Sequence, residues 1–196
     1  MKSSIARATL LATAVIVSPV PVVDRSAHAE QKPVQERETI IEAMVPPESL
    51  SEMVRVVDAV ILATFTGKGQ FIEPSTPYGI EFTNYVFVVD EIMKPDALVG
   101  VVGDELTVRM IGGEKEFATH IRRTRVAGVD PLLQGRKYVM FLRRHPTKNS
   151  VDLAWGPNSV YDVTQGTVRP IERELKRRDG APAAAFIEAL RVAAAQ

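Results

Sequence analysis

The chain has 196 residues, of which 45% are hydrophobic, and its 24 basic side chains balance 24 acidic ones. This length and balance predict one ordinary globular domain rather than a disordered or fibrous protein. The absence of cysteine excludes disulfide frameworks, thiolate zinc sites, iron–sulfur clusters and cysteine nucleophiles. Only three histidines occur, so imidazole for metal binding or general base catalysis is scarce as well.

The first 29 residues have the pattern of an export signal. Two bases precede an apolar stretch from Ala8 to Val23, and Ala27-His28-Ala29 has the small side chains that signal peptidase accepts. The stretch is shorter than the ~20 residues that span a bilayer, which favours a cleaved signal over a membrane anchor. We therefore predict a signal peptide over 1–29 and export to the periplasm or exterior, with no transmembrane segment in the mature chain. An exported domain without cysteine is typical of bacteria.

The mature chain begins with polar residues. The segment 30–47 is rich in acids and ends in Pro46-Pro47, which predicts a flexible polar linker. Ser49 or Ser51 can then cap a short helix. The apolar side of that helix consists of Leu50, Met53, Val54 and Val57. Such a short helix must pack on another element to be stable.

Apolar and β-branched runs in the middle of the chain predict strands, and glycine or proline ends several of them. These runs are Ala59 to Phe65, Ile80 to Met93, Leu106 to Ile111, Tyr138 to Leu142, Val151 to Trp155 and Val160 to Val163. The run from Tyr138 to Leu142 is apolar on both faces, so a helix is expected to cover its outer side. The last two runs are joined by Gly156-Pro157-Asn158-Ser159, whose turn residues predict a hairpin.

An apolar stripe near the C-terminus predicts a closing helix. Pro182 suits the first turn, and the stripe of Ala183, Phe186, Ile187, Leu190 and Ala194 recurs at helical spacing. The elements together predict a mainly β fold, a small and partly open OB-like β-barrel of five to seven strands. The short N-terminal helix and the C-terminal amphipathic helix pack on this barrel, and all of them form one domain over 48–196.

Several strand ends and glycine turns match a pattern seen in other proteins. The matching segments are Asp58-Ala-Val-Ile-Leu-Ala-Thr64, Thr83 to Lys94, Gly112-Gly113, Gly135-Arg-Lys-Tyr-Val-Met-Phe-Leu142 and Gly166. In these features the chain resembles bacterial exported proteins of unknown function that have an OB-like, metalloprotease-inhibitor-like barrel. The resemblance implies the fold of most of Ser49 to Pro170, not an activity. Inhibitors with this barrel present an N-terminal cysteine to the zinc of their target, and this chain has no cysteine, so their mechanism is not implied.

Basic residues concentrate in one segment. Eight bases and one acid, Asp130, lie between His120 and Ser150, whereas seven acids and three bases lie between Glu30 and Ala59. Such separation can form an anion-attracting surface although the net charge is near zero. We predict a long loop between Phe117 and Lys137 whose arginines bind phosphate, sulfate or carboxylate groups. The candidate ligand-binding residues are Arg122, Arg123, Arg125 and Arg143, with Tyr85 and Trp155 as stacking partners.

These residues also have a simpler interpretation, in which the basic run is a solvated face and Trp155 packs against the end of the barrel. Other candidates for chemistry are weaker. His120 has no partner in a paired metal-binding spacing, and the mature serines occur in no nucleophile-elbow pattern. Asp90 and Glu91 face opposite sides of a strand, so they cannot flank one bond. The sequence therefore assigns no catalytic residue, no metal and no cofactor.

Three functions remain open at this point. The first is an exported, non-enzymatic binding or interaction module that engages an anionic ligand or an envelope protein through the basic loop. The second is an envelope hydrolase with an unidentified site, and the third is an accessory or inhibitory domain that docks another protein through the barrel rim or the N-terminal extension. Removal of the leader takes away three bases and one acid, so 21 bases and 23 acids remain, which argues against nucleic acid as the main partner.

Overall fold

A computed structural model describes residues 32–39, 44–72, 81–145, 151–173, 175 and 178–196. The predicted signal peptide over 1–29 lies outside these residues. Strands predominate over helices, which confirms the predicted mainly β class. In the part of the chain so described, neither helix has the length and apolar character needed to cross a membrane.

The described residues form ten strands and two helices. They are β1 (Val34–Thr39), α1 (Leu50–Val56), β2 (Ala59–Ile72), β3 (Phe82–Lys94), β4 (Glu105–Ile111), β5 (Gly113–Glu116), β6 (Ile121–Val126), β7 (Lys137–Arg144), β8 (Val151–Pro157), β9 (Val160–Asp162), β10 (Arg169–Pro170) and α2 (Ala183–Ala194). Both helices lie where the sequence predicted them. Ser49 caps α1, since its hydroxyl accepts a hydrogen bond from the Glu52 backbone N–H.

Five strands close a barrel in the order β2, β3, β4, β8, β7 and back to β2. Neighbours are antiparallel except β4 and β8, which run parallel. The parallel seam consists of two residue pairs, Val108 with Val151 and Arg109 with Asp152, so it is the shortest junction of the barrel. The predicted mainly β barrel is thus confirmed, and this short β4–β8 seam closes it.

The strand β7 separates two hydrophobic cores. Its side chains alternate, so Tyr138, Met140 and Leu142 point into the barrel core. Val139 and Phe141 point outward into a second core, which α1, α2 and Trp155 cover. Phe186 of α2 contacts Tyr161 there, with ring centroids 5.4 Å apart. The helix predicted to cover the outer face of this strand therefore does so.

The predicted hairpin between Val151 and Val163 is wrong. Both β8 and β9 pair antiparallel with β7, one along each half of it, and they are not neighbours in the sheet. The local turn is present, because the Ser159 N–H bonds the Gly156 carbonyl. Beyond the turn the chain nevertheless keeps its direction, and β8 and β9 pair with the two halves of β7. In a hairpin the two strands would pair with each other, and part of β7 would lack an antiparallel neighbour.

The strand β2 is longer than predicted. The predicted run ends at Phe65, but after an irregularity between Phe65 and Gly69 the pairing with β3 resumes at Gly69 opposite Tyr85. Gly67 has φ +84°, a conformation that glycine adopts without strain. The extension pairs Phe71 with Thr83 of β3.

Two further predictions are corrected by a small second sheet, in the order β1, β6, β5. The linker predicted over 30–47 contains β1, which pairs parallel with β6. The loop predicted between Phe117 and Lys137 contains β6, which pairs antiparallel with β5. Opposite charges favour the pairing of these polar strands, because Arg123 of β6 lies opposite Glu36 of β1 and Glu114 of β5.

Candidate functional site

The candidate site is a cavity of about 420 Å³ where the barrel meets the small sheet. We call it the sheet-junction cavity. Its lining comes from β3 to β6 and from the segment that follows β6, and it also includes Arg173. The apolar part of the lining includes Val129 and Leu132, and the charged part includes Arg123, Arg125 and Glu114. Of the six ligand-binding residues predicted from the sequence, the fold brings three to this cavity: Tyr85, Arg123 and Arg125.

Arg123 lies between two acids. Its guanidinium nitrogens are 2.6 Å from a carboxylate oxygen of Glu114 and 3.3 Å from one of Glu36. The hydrogen bond to Glu114, and then the charge of that carboxylate and the contact with Glu36, raise the pKa of Arg123 above its ordinary value. Arg123 is therefore held in position and remains a permanent cation.

Arg125 and Arg173 are the two exposed cations of the cavity lining. The Arg125 side chain is 62% exposed and lies 3.4 Å from Glu36, and the Arg173 side chain is 67% exposed and lies 2.6 Å from Asp130. Exposed ion pairs of this kind contribute about 0–1 kcal/mol each. Both guanidiniums can therefore exchange their present carboxylate for another one at little cost.

Tyr85 supplies an aromatic wall. Its ring packs edge-on against Phe65, with centroids 5.6 Å apart. Burial raises the pKa of the Tyr85 hydroxyl and the charge of Glu114 adds to this effect, while a hydrogen bond with Thr83 opposes them. The phenol thus stays neutral at physiological pH and is able to donate a hydrogen bond.

Arg122 does not line the cavity, and its contacts lie elsewhere. Its Nε lies 3.1 Å from the carboxylate of Glu81, whose side chain is 2% exposed. The Thr124 hydroxyl also donates to that carboxylate. The Arg122 guanidinium further lies over the rings of Phe71 and Phe117. Arg122 therefore joins the small sheet to the barrel, which is a structural role that the sequence did not distinguish from binding.

Arg143 and Trp155 lie together elsewhere, in the region of the β7–β8 pairing. The Arg143 guanidinium is 5.8 Å from the Trp155 ring centroid. Trp155 is 5% exposed and packs on Phe141 in the outer core. This placement matches the simpler interpretation of Trp155, in which its ring packs against the protein. A stacking platform for a ligand requires an open ring face.

The other polar side chains that could carry chemistry make structural contacts in the fold. His120 stacks on Phe117 with ring centroids 4.8 Å apart, and the Ser159 hydroxyl accepts a hydrogen bond from the backbone N–H of Trp155. His145 lies 3.8 Å from Asp152, which Arg109 also contacts. Among the residues that the structure describes, no group of three or more His, Cys, Asp or Glu side chains is placed to hold a metal ion.

Four residues of the candidate site were missed from the sequence: Glu36, Glu114, Asp130 and Arg173. The first two had a usable signal. Acids alternate in Gln35-Glu36-Arg37-Glu38 and in Gly113-Glu114-Lys115-Glu116, as bases do in the arginine run, which indicates strands that pair by charge. Arg173 had no local signal, because only the fold brings it to Asp130.

A second cavity, of about 520 Å³, adjoins the first, and Asp130 and Arg173 line both. Arg169 and Asp179 are among its other lining residues. The Arg173–Asp130 pair is thus shared by two cavities.

The chain matches no protein-family model and no curated protein sequence. The function is therefore inferred from this geometry.

Proposed function

We propose that this chain is an exported, non-enzymatic binding module that takes a carboxylate-bearing ligand at the sheet-junction cavity. The supporting observation is that the fold brings Arg125 and Arg173, two exposed and permanently charged guanidiniums, to one cavity with an apolar lining. Guanidinium groups bind carboxylates through paired hydrogen bonds, which provides orientation as well as attraction.

The resident acids support a carboxylate as the ligand group. Glu36 and Asp130 hold Arg125 and Arg173 through weak, exposed pairs, and a ligand carboxylate makes the same contacts. The apolar lining, with Val129 and Leu132, suits an aliphatic or aromatic body on the same ligand. Polyphosphate and nucleic acid fit less well, because the glutamates and the aspartate beside these arginines repel a row of phosphates.

Docking of a protein through the N-terminal extension is the second candidate, and β1 favours it. This strand lies at the edge of the small sheet, and the residues from Pro33 to Glu36 are exposed. A sheet edge of this kind is a common place for another chain to add a strand.

The direct test is a titration followed by NMR of the arginine Nε–Hε groups. The probes are glutarate, a hydrophobic N-acyl glutamate and inorganic phosphate. We expect saturable, salt-sensitive shifts of Arg125 and Arg173 that are largest with the N-acyl glutamate. The double variant Arg125→Ser, Arg173→Ser should lose the binding, whereas Arg55→Ser, which changes an exposed arginine of α1, should retain it. Equal responses of both variants, or no saturation with any probe, would overturn the proposal.

Affinity capture from a bacterial envelope extract identifies the natural ligand. The parent protein and the Arg55→Ser control should retain the same species at low salt, and the double variant should lose it. Mass spectrometry of the bound fraction then reports the class of ligand. Identical capture by all three proteins would show that the cavity does not bind it.

A further inference from the structure

We propose that the edge of β6 is an acceptor for an extended acidic peptide of a partner protein, and that β1 is the internal segment which this peptide displaces. This inference rests on the proposed function and specifies the partner of the same site, because Arg125 belongs to both. The proposal concerns the residues 32–39 and 121–126.

The first argument is how weakly β1 is attached. Among the described strands, β1 pairs with β6 alone. Val34 is 45% exposed, and Pro33, Gln35 and Glu36 are exposed too, so the first half of the strand buries little apolar surface. Backbone hydrogen bonds and surface ion pairs therefore hold β1, and water competes for both.

The second argument is the charge pairing that does hold it. At one end the Lys32 ammonium bonds Glu116 and the carbonyl of Phe117. In the middle the Glu36 carboxylate lies 3.3 Å from Arg123 and 3.4 Å from Arg125. All of these side chains are at least partly exposed, so each pair contributes little to stability and weakens with salt.

The register defines the peptide that β6 accepts. Val34 lies opposite Ile121, Glu36 opposite Arg123 and Glu38 opposite Arg125, in parallel pairing. Alternate residues of a strand share one face. The matching segment therefore has an apolar residue, then an acid two positions later, then a second acid two positions after that. A peptide with this spacing meets the two arginines that line the sheet-junction cavity.

A partner protein is a better occupant than a second copy of this chain. An identical β1 from another copy makes the same contacts as the resident strand but lacks the high effective concentration of a tethered one. A foreign peptide can gain affinity by extending an apolar side chain into the sheet-junction cavity, whose lining includes Val129 and Leu132. Displacement of β1 is thus favourable for a partner with that additional contact.

The test uses the full chain and a fluorescein-labelled acidic peptide that copies residues 33–39 with Arg37→Ala and an added C-terminal leucine, which supplies the apolar contact that the resident strand lacks. The matched control peptide has glutamine in place of both glutamates. Removal of one charge from the resident strand by Glu36→Gln should strengthen binding of the acidic peptide about fivefold. Arg125→Glu should abolish binding, and Glu52→Gln, which removes an exposed acid of α1, should leave it unchanged. Fluorescence anisotropy provides the affinities.

Hydrogen exchange followed by mass spectrometry reports the displacement itself. We expect the backbone amides of 34–39 to lose protection when the peptide binds, while those of β5 keep theirs. Peptide binding without faster exchange in β1, or equal binding of the glutamine peptide, would overturn the inference. Dimerisation of Glu36→Gln in analytical ultracentrifugation would overturn it as well, because the occupant would then be a second copy.

The two proposals fail in different ways. If the N-acyl glutamate shifts Arg125 and Arg173 but the acidic peptide does not bind the Glu36→Gln variant, the cavity binds carboxylates and the strand-acceptor inference is wrong. If neither probe binds, both proposals are wrong.

Discussion

Glu36 of β1 lies directly opposite Arg123 of β6, and their charged atoms are 3.3 Å apart. On the other side of the same arginine, Glu114 of β5 is its register partner as well. One base is thus bracketed by an acid on each neighbouring strand. The basic run that stands out along the sequence is therefore largely paired with acids in space. The exposed guanidiniums at the cavity are those of Arg125, from this run, and of Arg173, from outside it.

Two neighbouring arginines should differ strongly in their effect on stability. Arg122→Met leaves the buried Glu81 carboxylate without its guanidinium, and we expect a loss of about 3 kcal/mol in the free energy of unfolding. Arg123→Met removes exposed pairs and should lower it by less than about 1 kcal/mol. Urea denaturation measures both values, and equal losses would show that Arg122 does not join the two sheets.

Gly112 should not tolerate a side chain. Its φ is +87°, and a Cβ there would lie 2.7 Å from the carbonyl oxygen of Thr124. Gly103 has a similar φ of +94° but open space around it. Gly103→Ala should therefore lose only the conformational term of about 1–2 kcal/mol, and Gly112→Ala should lose clearly more. Thermal denaturation compares them, and a smaller loss for Gly112→Ala contradicts the packing at this junction.

Asp162 should stabilise the fold in a pH-dependent way. Burial alone would raise the pKa of its carboxyl, but hydrogen bonds from Arg136 and from the Thr164 backbone and side chain outweigh this and hold the pKa below its ordinary value of 3.8. A lowered pKa in the folded state means that the stabilisation is present above about pH 4 and is lost as the pH falls through the folded value.

The variant Asp162→Asn measures this effect. At pH 7 we expect it to lower the free energy of unfolding by about 1–3 kcal/mol, and the difference from the parent should shrink towards pH 3. Asp179→Asn is the control, since Asp179 is exposed. A difference that stays constant from pH 7 to pH 3 would contradict the ion pair.

The single tryptophan should report on the outer core and not on ligand binding. Trp155 is 5% exposed and packs on Phe141, and it does not line the sheet-junction cavity. We expect weak quenching of its fluorescence by acrylamide in the folded protein and an unchanged emission spectrum when the N-acyl glutamate binds. Strong quenching, or an emission shift that follows the binding curve, would restore Trp155 as a ligand contact.

The elements that were predictable have strong local patterns. The helix capped by Ser49, the doubly apolar strand around Tyr138 and the stripe that includes Phe186 lie where periodicity and capping residues predicted them. The second sheet was not predictable in this way. Its strands are short and polar, so hydrophobic alternation did not mark them. They pair through backbone hydrogen bonds between segments distant in sequence, with an acid of β1 and an acid of β5 opposite Arg123 of β6.

Local patterns were sufficient for the mainly β class, the barrel and its two covering helices, because burial of one face imposes a period on the residues that form it. The pairing of strands distant in sequence required the folded chain. Val151 to Val163 shows this, since local residues predicted the turn at Gly156 but the shared partner β7 determined that the chain does not reverse. Likewise, the arginine run was visible as charge in the sequence. Only the folded contacts with Glu81, Glu36 and Glu114 separate the structural Arg122 from the cavity-lining Arg123 and Arg125.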